Sequence, residues 1–285
     1  CLLSRGLGDV YKRQVLISGL ISFFASIYFI RPRILGFIIL FVPICQLISQ
    51  LFQEILIKTV PTNVIPKLDY SKGIPEESRT MVVIPTIVAS KEKVKTMFDT
   101  LESYYLINKS DNLYFTLLGD VKALNEEVAP FDKEVSEYGE EYAKKLNAKY
   151  KKNIFYFIYR KRLWNEKENQ YLGYERKRGA LLQFNKILLG EELDEKKYFN
   201  VNMLHDNKLH IKYVITLDTD TKLVLNSALN LVGAMAHPLN TPVLNKEGTK
   251  VINGYGIMQP RVGVDIEATN KSAVSYTHLT LPTNS

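Results

Sequence analysis

From Thr80 onward, short apolar runs rich in β-branched and aromatic residues alternate with longer stretches of helical period. Thr80-Met81-Val82-Val83-Ile84, Leu113-Tyr114-Phe115-Thr116-Leu117-Leu118, Ile154 to Tyr159 and Tyr213-Val214-Ile215-Thr216-Leu217 carry the strand signature. Between them, Lys91 to Ile107 keeps a helical period through Val94, Met97, Phe98, Leu101 and Tyr105. Glu134 to Tyr150, Tyr174 to Leu189 and Leu225 to Met235 read as further helices. Strands that are apolar throughout are buried on both faces, and strand–helix alternation builds a mostly parallel sheet covered by helices. The fold class is therefore α/β. Gly254-Tyr255-Gly256-Ile257-Met258 is expected as a last strand before Gln259-Pro260-Arg261, and Glu191 to His210 as a charged, aperiodic surface insertion with His205 and His210 solvated.

A parallel sheet gathers the carboxyl ends of its strands along one edge, where ligands bind. Three such ends are polar here: Pro85-Thr86, Asp120, and Asp218 with Asp220. Two carboxylates spaced i, i+2 can hold a hard divalent cation, Mg²⁺ or Mn²⁺, with substrate phosphates completing the shell. The same tripeptide is common in solvated turns. Asp120 suits either a base or ribose contact or a turn cap. Glu175-Arg176-Lys177-Arg178-Gly179-Ala180 opens a helix, where basic side chains and backbone N–H groups can meet a diphosphate or form a solvated face. Trp164, beside Arg160 and Arg162, can stack on a sugar or base or pack a loop. His237 before Pro238 reads as a helix C-terminal cap.

Upstream, Val15 to Ile30 and Ile34 to Leu51 are uncharged runs of 16 and 18 residues, separated by Arg31-Pro32-Arg33. A span needs about 20 apolar residues with a lower limit near 17, so the second run qualifies and the first is borderline. The pair reads as a transmembrane helical hairpin, the alternative being a buried helical pair in a soluble protein. Gln46, Gln50, Gln53 and Glu54 mark its exit at an interface. Arg31 and Arg33 alone would put the hairpin turn in the cytoplasm. Thr59 to Ser78, with Pro61, Pro66, Gly73 and Pro75, reads as an extended linker. The formal net charge of +7 suits a phosphate-bearing ligand, an anionic membrane surface or simply a lysine-rich exterior. Cys1 and Cys45 indicate neither a disulfide framework nor a zinc site. Residues 1–14 and 275–285 read as non-native ends, giving a division into 1–14 leader, 15–57 hairpin, 58–78 linker, 79–274 sheet domain and 275–285 tail.

Several stretches together resemble a known family. Leu68-Asp69-Tyr70-Ser71-Lys72-Gly73-Ile74-Pro75, Val82-Val83-Ile84-Pro85-Thr86, Arg162-Leu163-Trp164-Asn165 and Gly173-Tyr174-Glu175-Arg176-Lys177-Arg178-Gly179 come first. Ile215-Thr216-Leu217-Asp218-Thr219-Asp220-Thr221, Met235-Ala236-His237-Pro238-Leu239-Asn240 and Gly254-Tyr255-Gly256-Ile257-Met258-Gln259-Pro260-Arg261-Val262 follow. In order, from about Pro66 to Asn270, they are similar to the glycosyltransferase family 84 part of cyclic β-1,2-glucan synthases, which are large inner-membrane proteins. The resemblance implies a GT-A, Rossmann-like nucleotide-sugar domain and an inverting, UDP-glucose-dependent transfer on the cytoplasmic side. That is the opposite of the orientation that Arg31 and Arg33 give a simple two-span hairpin, and here the substrate decides the expectation. It implies donor contacts from Pro85, Thr86, Asp120, Arg176, Lys177 and Arg178, and metal and diphosphate binding by Asp218 and Asp220. Trp164, Gln259 and Arg261 would lie on the acceptor side. The implied partners are UDP-glucose, a growing glucan acceptor and the lipid bilayer, with no nucleic acid. An inverting transferase also needs a general base. In the family it follows the Gln-x-Arg strand, so it is expected beyond residue 274, and no residue is assigned. Two other readings stand: a processive synthase of another β-glucan, and a non-catalytic, membrane-tethered nucleotide-sugar binding module.

Overall fold

The computed structural model describes residues 15–25, 27, 33–59, 64–191, 197–201, 209–260, 262 and 263. It divides at Val64/Ile65 into two units.

The N-terminal unit is helical. Helix α1 (Val15–Ala25) is apolar but shorter than a span. Helix α2 (Arg33–Thr59) contains a 23-residue segment, Ile34–Leu56, of mean hydropathy 2.2 that is long and apolar enough to cross a membrane. Only 6% of its most apolar window is buried within the chain. The two helices face one another at Gly19, whose missing side chain would point at the Phe41 ring from 3.8 Å. Near that contact Ser22 turns its hydroxyl back onto the Ser18 carbonyl at 2.7 Å, so the buried hydroxyl is satisfied inside its own helix. The expected hairpin turn at Arg31-Pro32 lies outside the described residues.

The second unit is built on a five-stranded sheet. Its strands are β1 (Thr80–Ile87), β2 (Leu113–Asp120), β3 (Phe155–Arg160), β6 (Tyr198–Asn200) and β7 (Tyr213–Thr216), in the spatial order β6-β3-β2-β1-β7. Strands β1, β2, β3 and β7 are parallel, as the alternation of strands and helices requires. Strands β1, β2 and β3 alternate between two cores, whereas β7 is covered on one face only, Tyr213 and Ile215 packing on the first core and Val214 and Thr216 being exposed. Val82, Ile84, Phe115, Leu117, Phe155 and Phe157 share one core with Val94, Phe98 and Leu101 of helix α3 (Lys91–Ile107) and with Val135 and Leu146 of helix α4 (Pro130–Tyr150). Met81, Val83, Tyr114, Leu118, Tyr156 and Ile158 face Ala180 and Phe184 of helix α5 (Arg176–Leu188). The two-residue side-chain period separates these faces. A helix on each side explains why β1, β2 and β3 read as unbroken apolar runs.

Helix starts follow capping chemistry. Ser90 accepts the Lys93 N–H at 3.3 Å and opens α3. Helix α4 starts four residues before the expected Glu134, because Pro130 sits at its first position and the Asp132 carboxylate takes the Ala129 N–H at 2.6 Å. Helix α6 (Ser227–Ala236) ends at His237, which is the expected C-terminal cap, and the His237 Nδ1 accepts the Leu239 N–H at 3.2 Å. From Pro66 the expected linker lies along α6. Leu68 donates to the Gly233 carbonyl at 3.0 Å, and a side chain at Gly233 would meet the Leu68 carbonyl.

Three local features differ from expectation. Tyr198–Asn200, inside the stretch expected to be a surface insertion, pairs antiparallel with β3, because Tyr198 and Val201 bury against Tyr156 and Phe184. His210 is exposed as expected, while His205 lies outside the described residues. A small hairpin, β4 (Leu163–Asn165) and β5 (Gln170–Leu172), follows β3. Gly254 to Met258 does not form a strand. The chain pairs β8 (Val243–Leu244) with β9 (Val251–Asn253) instead, then turns out of the ladder at Gly254. That residue has φ +73° and packs so closely on the Thr241 carbonyl that no side chain fits.

Candidate functional site

The carboxyl ends of β1, β2, β3 and β7 share one edge. Thr86 stands opposite Gly119, which stands opposite Tyr159, while Leu217 donates to the Val83 carbonyl at 3.0 Å. Pro85 is buried and Thr86 half-buried at the end of β1. Asp218 and Asp220 are exposed just past β7. Their turn is fixed from below: Thr221 N–H returns to the Asp218 carbonyl at 3.1 Å, and the Tyr104 hydroxyl from α3 donates to the Thr221 carbonyl at 2.8 Å.

Asp120 is the best protected of the strand-end carboxylates. Its side chain is 9% exposed and accepts the Val121 N–H at 3.0 Å, with an Arg160 guanidinium nitrogen 3.7 Å away. Gly173 lies directly over it, and a β-carbon there would sit 2.0 Å from Asp120 Oδ1. Burial raises the Asp120 pKa above the ordinary aspartate value, against the opposing pull of Arg160 and the Val121 N–H. Burial likewise lowers the pKa of Arg160, opposed by Asp120. Little of this carboxylate is left open to solvent.

The segment after Gly173 carries the basic residues. Glu175 and Arg176 both have positive φ, 48° and 49°, a conformation that costs non-glycine residues about 1–3 kcal/mol each. Arg160 holds this turn, donating to the Tyr174 carbonyl at 2.7 Å and the Arg176 carbonyl at 3.0 Å. Gly179 permits the tight return, since any β-carbon there would overlap the Tyr174 carbonyl. Arg176 pairs with Glu168 at 2.6 Å and Arg178 with Glu175 at 2.9 Å. Lys177 reaches across to the Asp218 carboxylate and joins the start of α5 to the end of β7. All three pairs are largely solvated, where such contacts contribute little to stability.

Trp164 is half exposed on β4, packed edge-on against Tyr171 at 5.0 Å between ring centroids. Tyr171 exchanges backbone hydrogen bonds of 2.9 and 2.8 Å with Leu124, which ties the hairpin to the loop leaving Asp120. Gln259 is exposed, on a segment that forms no strand. Arg261 lies outside the described residues.

The donor set bears on a metal. Asp218 and Asp220 are hard oxygen ligands open to solvent, and no cluster of three or more potential ligands occurs among the described residues. Lys177 already sets a positive charge on Asp218. Such a site fits a Mg²⁺ or Mn²⁺ ion whose coordination is completed by substrate phosphates and water, not one caged by protein alone.

Sequence reasoning missed the buried arginines beneath this edge. Arg160 continues the face of Tyr156 and Ile158, and Arg162 is 0% exposed with its guanidinium on the Asp132 carboxylate. Arg162 also donates to the Lys122 carbonyl at 2.7 Å and holds the loop after Asp120. The available signal was the strand period running through Tyr156 and Ile158 into Arg160.

No protein-family model matches the chain. The chain is similar to the cyclic β-(1,2)-glucan synthase NdvB of Rhizobium meliloti (strain 1021), with 39% identity over 197 residues. The match covers 68% of this chain and 7% of the relative's length. Identity of that degree over that length, together with the motifs at the sheet edge, shows that this chain contains a segment homologous to part of a cyclic β-(1,2)-glucan synthase.

Proposed function

We propose that the sheet unit is the donor-binding part of a membrane-bound, inverting glucosyltransferase of GT-A type and family 84. In this reading it uses UDP-glucose to extend a β-1,2-glucan on the cytoplasmic side. The observation that carries the reading is the gathering of Asp120, Lys177, Asp218 and Asp220 at the carboxyl edge of a parallel sheet, in a chain homologous to part of a glucan synthase. That edge is where open α/β sheets bind nucleotides.

In this reading Asp120 accepts a hydrogen bond from the uracil edge, and Pro85 and Thr86 border the nucleoside. Asp218 and Asp220 hold Mg²⁺ or Mn²⁺ together with the diphosphate. When bound, the ion neutralises charge that develops on the departing diphosphate. Lys177 exchanges Asp218 for a phosphate oxygen, and Arg176 and Arg178 add positive potential at the same helix start. Trp164 offers a flat apolar face toward the sugar chain, and Gln259 and Arg261 belong to the acceptor side. The bilayer is engaged through α2.

Calorimetric titration of UDP-glucose with and without Mg²⁺ or Mn²⁺ tests the reading. Binding should require the ion and should weaken at least tenfold in Asp220→Asn, about the loss of one charged contact. Equal affinity in EDTA, or unchanged affinity in the variant, would remove the metal–diphosphate assignment.

A further inference from the structure

Arg160 ends β3 with its side chain 2% exposed, and a buried guanidinium is stable only where its donors are matched. Its fork spans two carbonyls, Tyr174 at 2.7 Å and Arg176 at 3.0 Å, on either side of Glu175. The same guanidinium stands 3.7 Å from Asp120. One buried group thus touches the carboxylate at the end of β2 and the left-handed turn that opens α5. One residue beyond that turn, Lys177 meets Asp218 at the end of β7. One residue before Tyr174, Gly173 lies on Asp120.

We propose that Arg160 is a positioning residue for the donor nucleotide. Its fork sets the α5 turn at a fixed height over Asp120, so the nucleoside-facing carboxylate and the diphosphate-facing Lys177 are held in one frame. This rests on the reading of the edge as a nucleoside-diphosphate site. A lysine would keep the charge but not the planar fork, and could not hold both carbonyls in the same geometry.

The test uses the full chain in lipid nanodiscs with UDP and Mg²⁺. Arg160→Lys should weaken UDP binding roughly ten- to a hundredfold, the loss of charge-assisted hydrogen bonds. Its amides at 174–179 should exchange faster, while those of α3 stay unchanged. Added guanidinium should restore UDP affinity to Arg160→Ala, which the loss of a packing contact alone would not allow. Wild-type affinity and exchange in Arg160→Lys would overturn the proposal. If neither variant folds, the wild-type chain decides: UDP should slow exchange at Val121 and at 174–179 together, and protection of only one of them refutes a common frame. If the wild-type chain binds no UDP, the donor reading fails on its own. Faster exchange confined to 174–179 in Arg160→Lys then upholds the hold on the turn, and unchanged exchange refutes it.

Discussion

Gly173 and Asp120 illustrate what single residues decide here. The carboxylate occupies the space a side chain at Gly173 would need, with three of its atoms within 2.4 Å of the would-be β-carbon. Gly173→Ala must therefore displace either Asp120 or the turn behind it. A loss of about 1–3 kcal/mol, the usual range for overpacking, is expected in urea unfolding, with a parallel loss of UDP affinity. Full retention of both would mean that the turn beginning at Gly173 is free to rise. The raised pKa of Asp120 has a definite sign. Folding favours the protonated carboxyl, so its contribution to stability is complete below the ordinary value of 3.8 and is lost as pH rises through the folded value. Subtracting the pH–stability curve of Asp120→Asn from that of wild type should leave a descending step in that window, and a rising step would reverse the assignment. Asp218 and Asp220 were legible as a strand-end pair because an apolar run ends at them. The cover over Asp120 was not, because a glycine's role as empty space depends on what folds against it.

Among the elements, β1, β2 and β3 were legible because burial on both faces leaves continuous apolar runs, and the helices because of their clear periods, whereas β7 reads as equally apolar although Val214 and Thr216 are exposed. Strand β6 was not, since three residues between charged stretches carry too little pattern to distinguish an edge strand from a loop. The hairpin β4–β5 escaped for the same reason, although it brings Trp164 and Tyr171 beside the loop after Asp120. What locks that loop is the Arg162–Asp132 pair, both side chains 0% exposed, between the end of β3 and the start of α4. Breaking a buried pair leaves one uncompensated charge in the core and typically costs about 3–5 kcal/mol. Arg162→Met should lose stability on that scale. The double variant Arg162→Met, Asp132→Asn should be less damaged than the sum of the two single changes. Additive losses would show that the two residues act independently, Asp132 as the cap of α4 and Arg162 as the anchor of the Lys122 carbonyl.

At the scale of the whole molecule, the sheet unit follows an apolar helix that its own unit leaves uncovered. At 1.5 Å per residue, the 23 residues of Ile34–Leu56 extend about 34 Å, slightly more than the hydrocarbon thickness of a bilayer. Ile34, Ile38, Ile39, Val42, Leu47 and Leu51 are each more than half exposed, so the helix presents large apolar side chains that water would penalise. The Glu54–Lys58 pair at 2.8 Å supplies the polar end expected where such a helix leaves the membrane. Helix α1 is too short in its described extent to serve as a second span, so the anchoring prediction rests on α2. Expressed protein should remain with the membrane after alkaline carbonate washing and require detergent for release. Two charges near the centre of the apolar segment, Val42→Lys with Leu47→Lys, should shift it to the soluble or aggregated fraction, since each lysine near a helix centre costs about 2.5–3.5 kcal/mol on insertion. A monodisperse, detergent-free protein from the unaltered sequence would instead mean that α2 is covered by protein, through self-association or a partner.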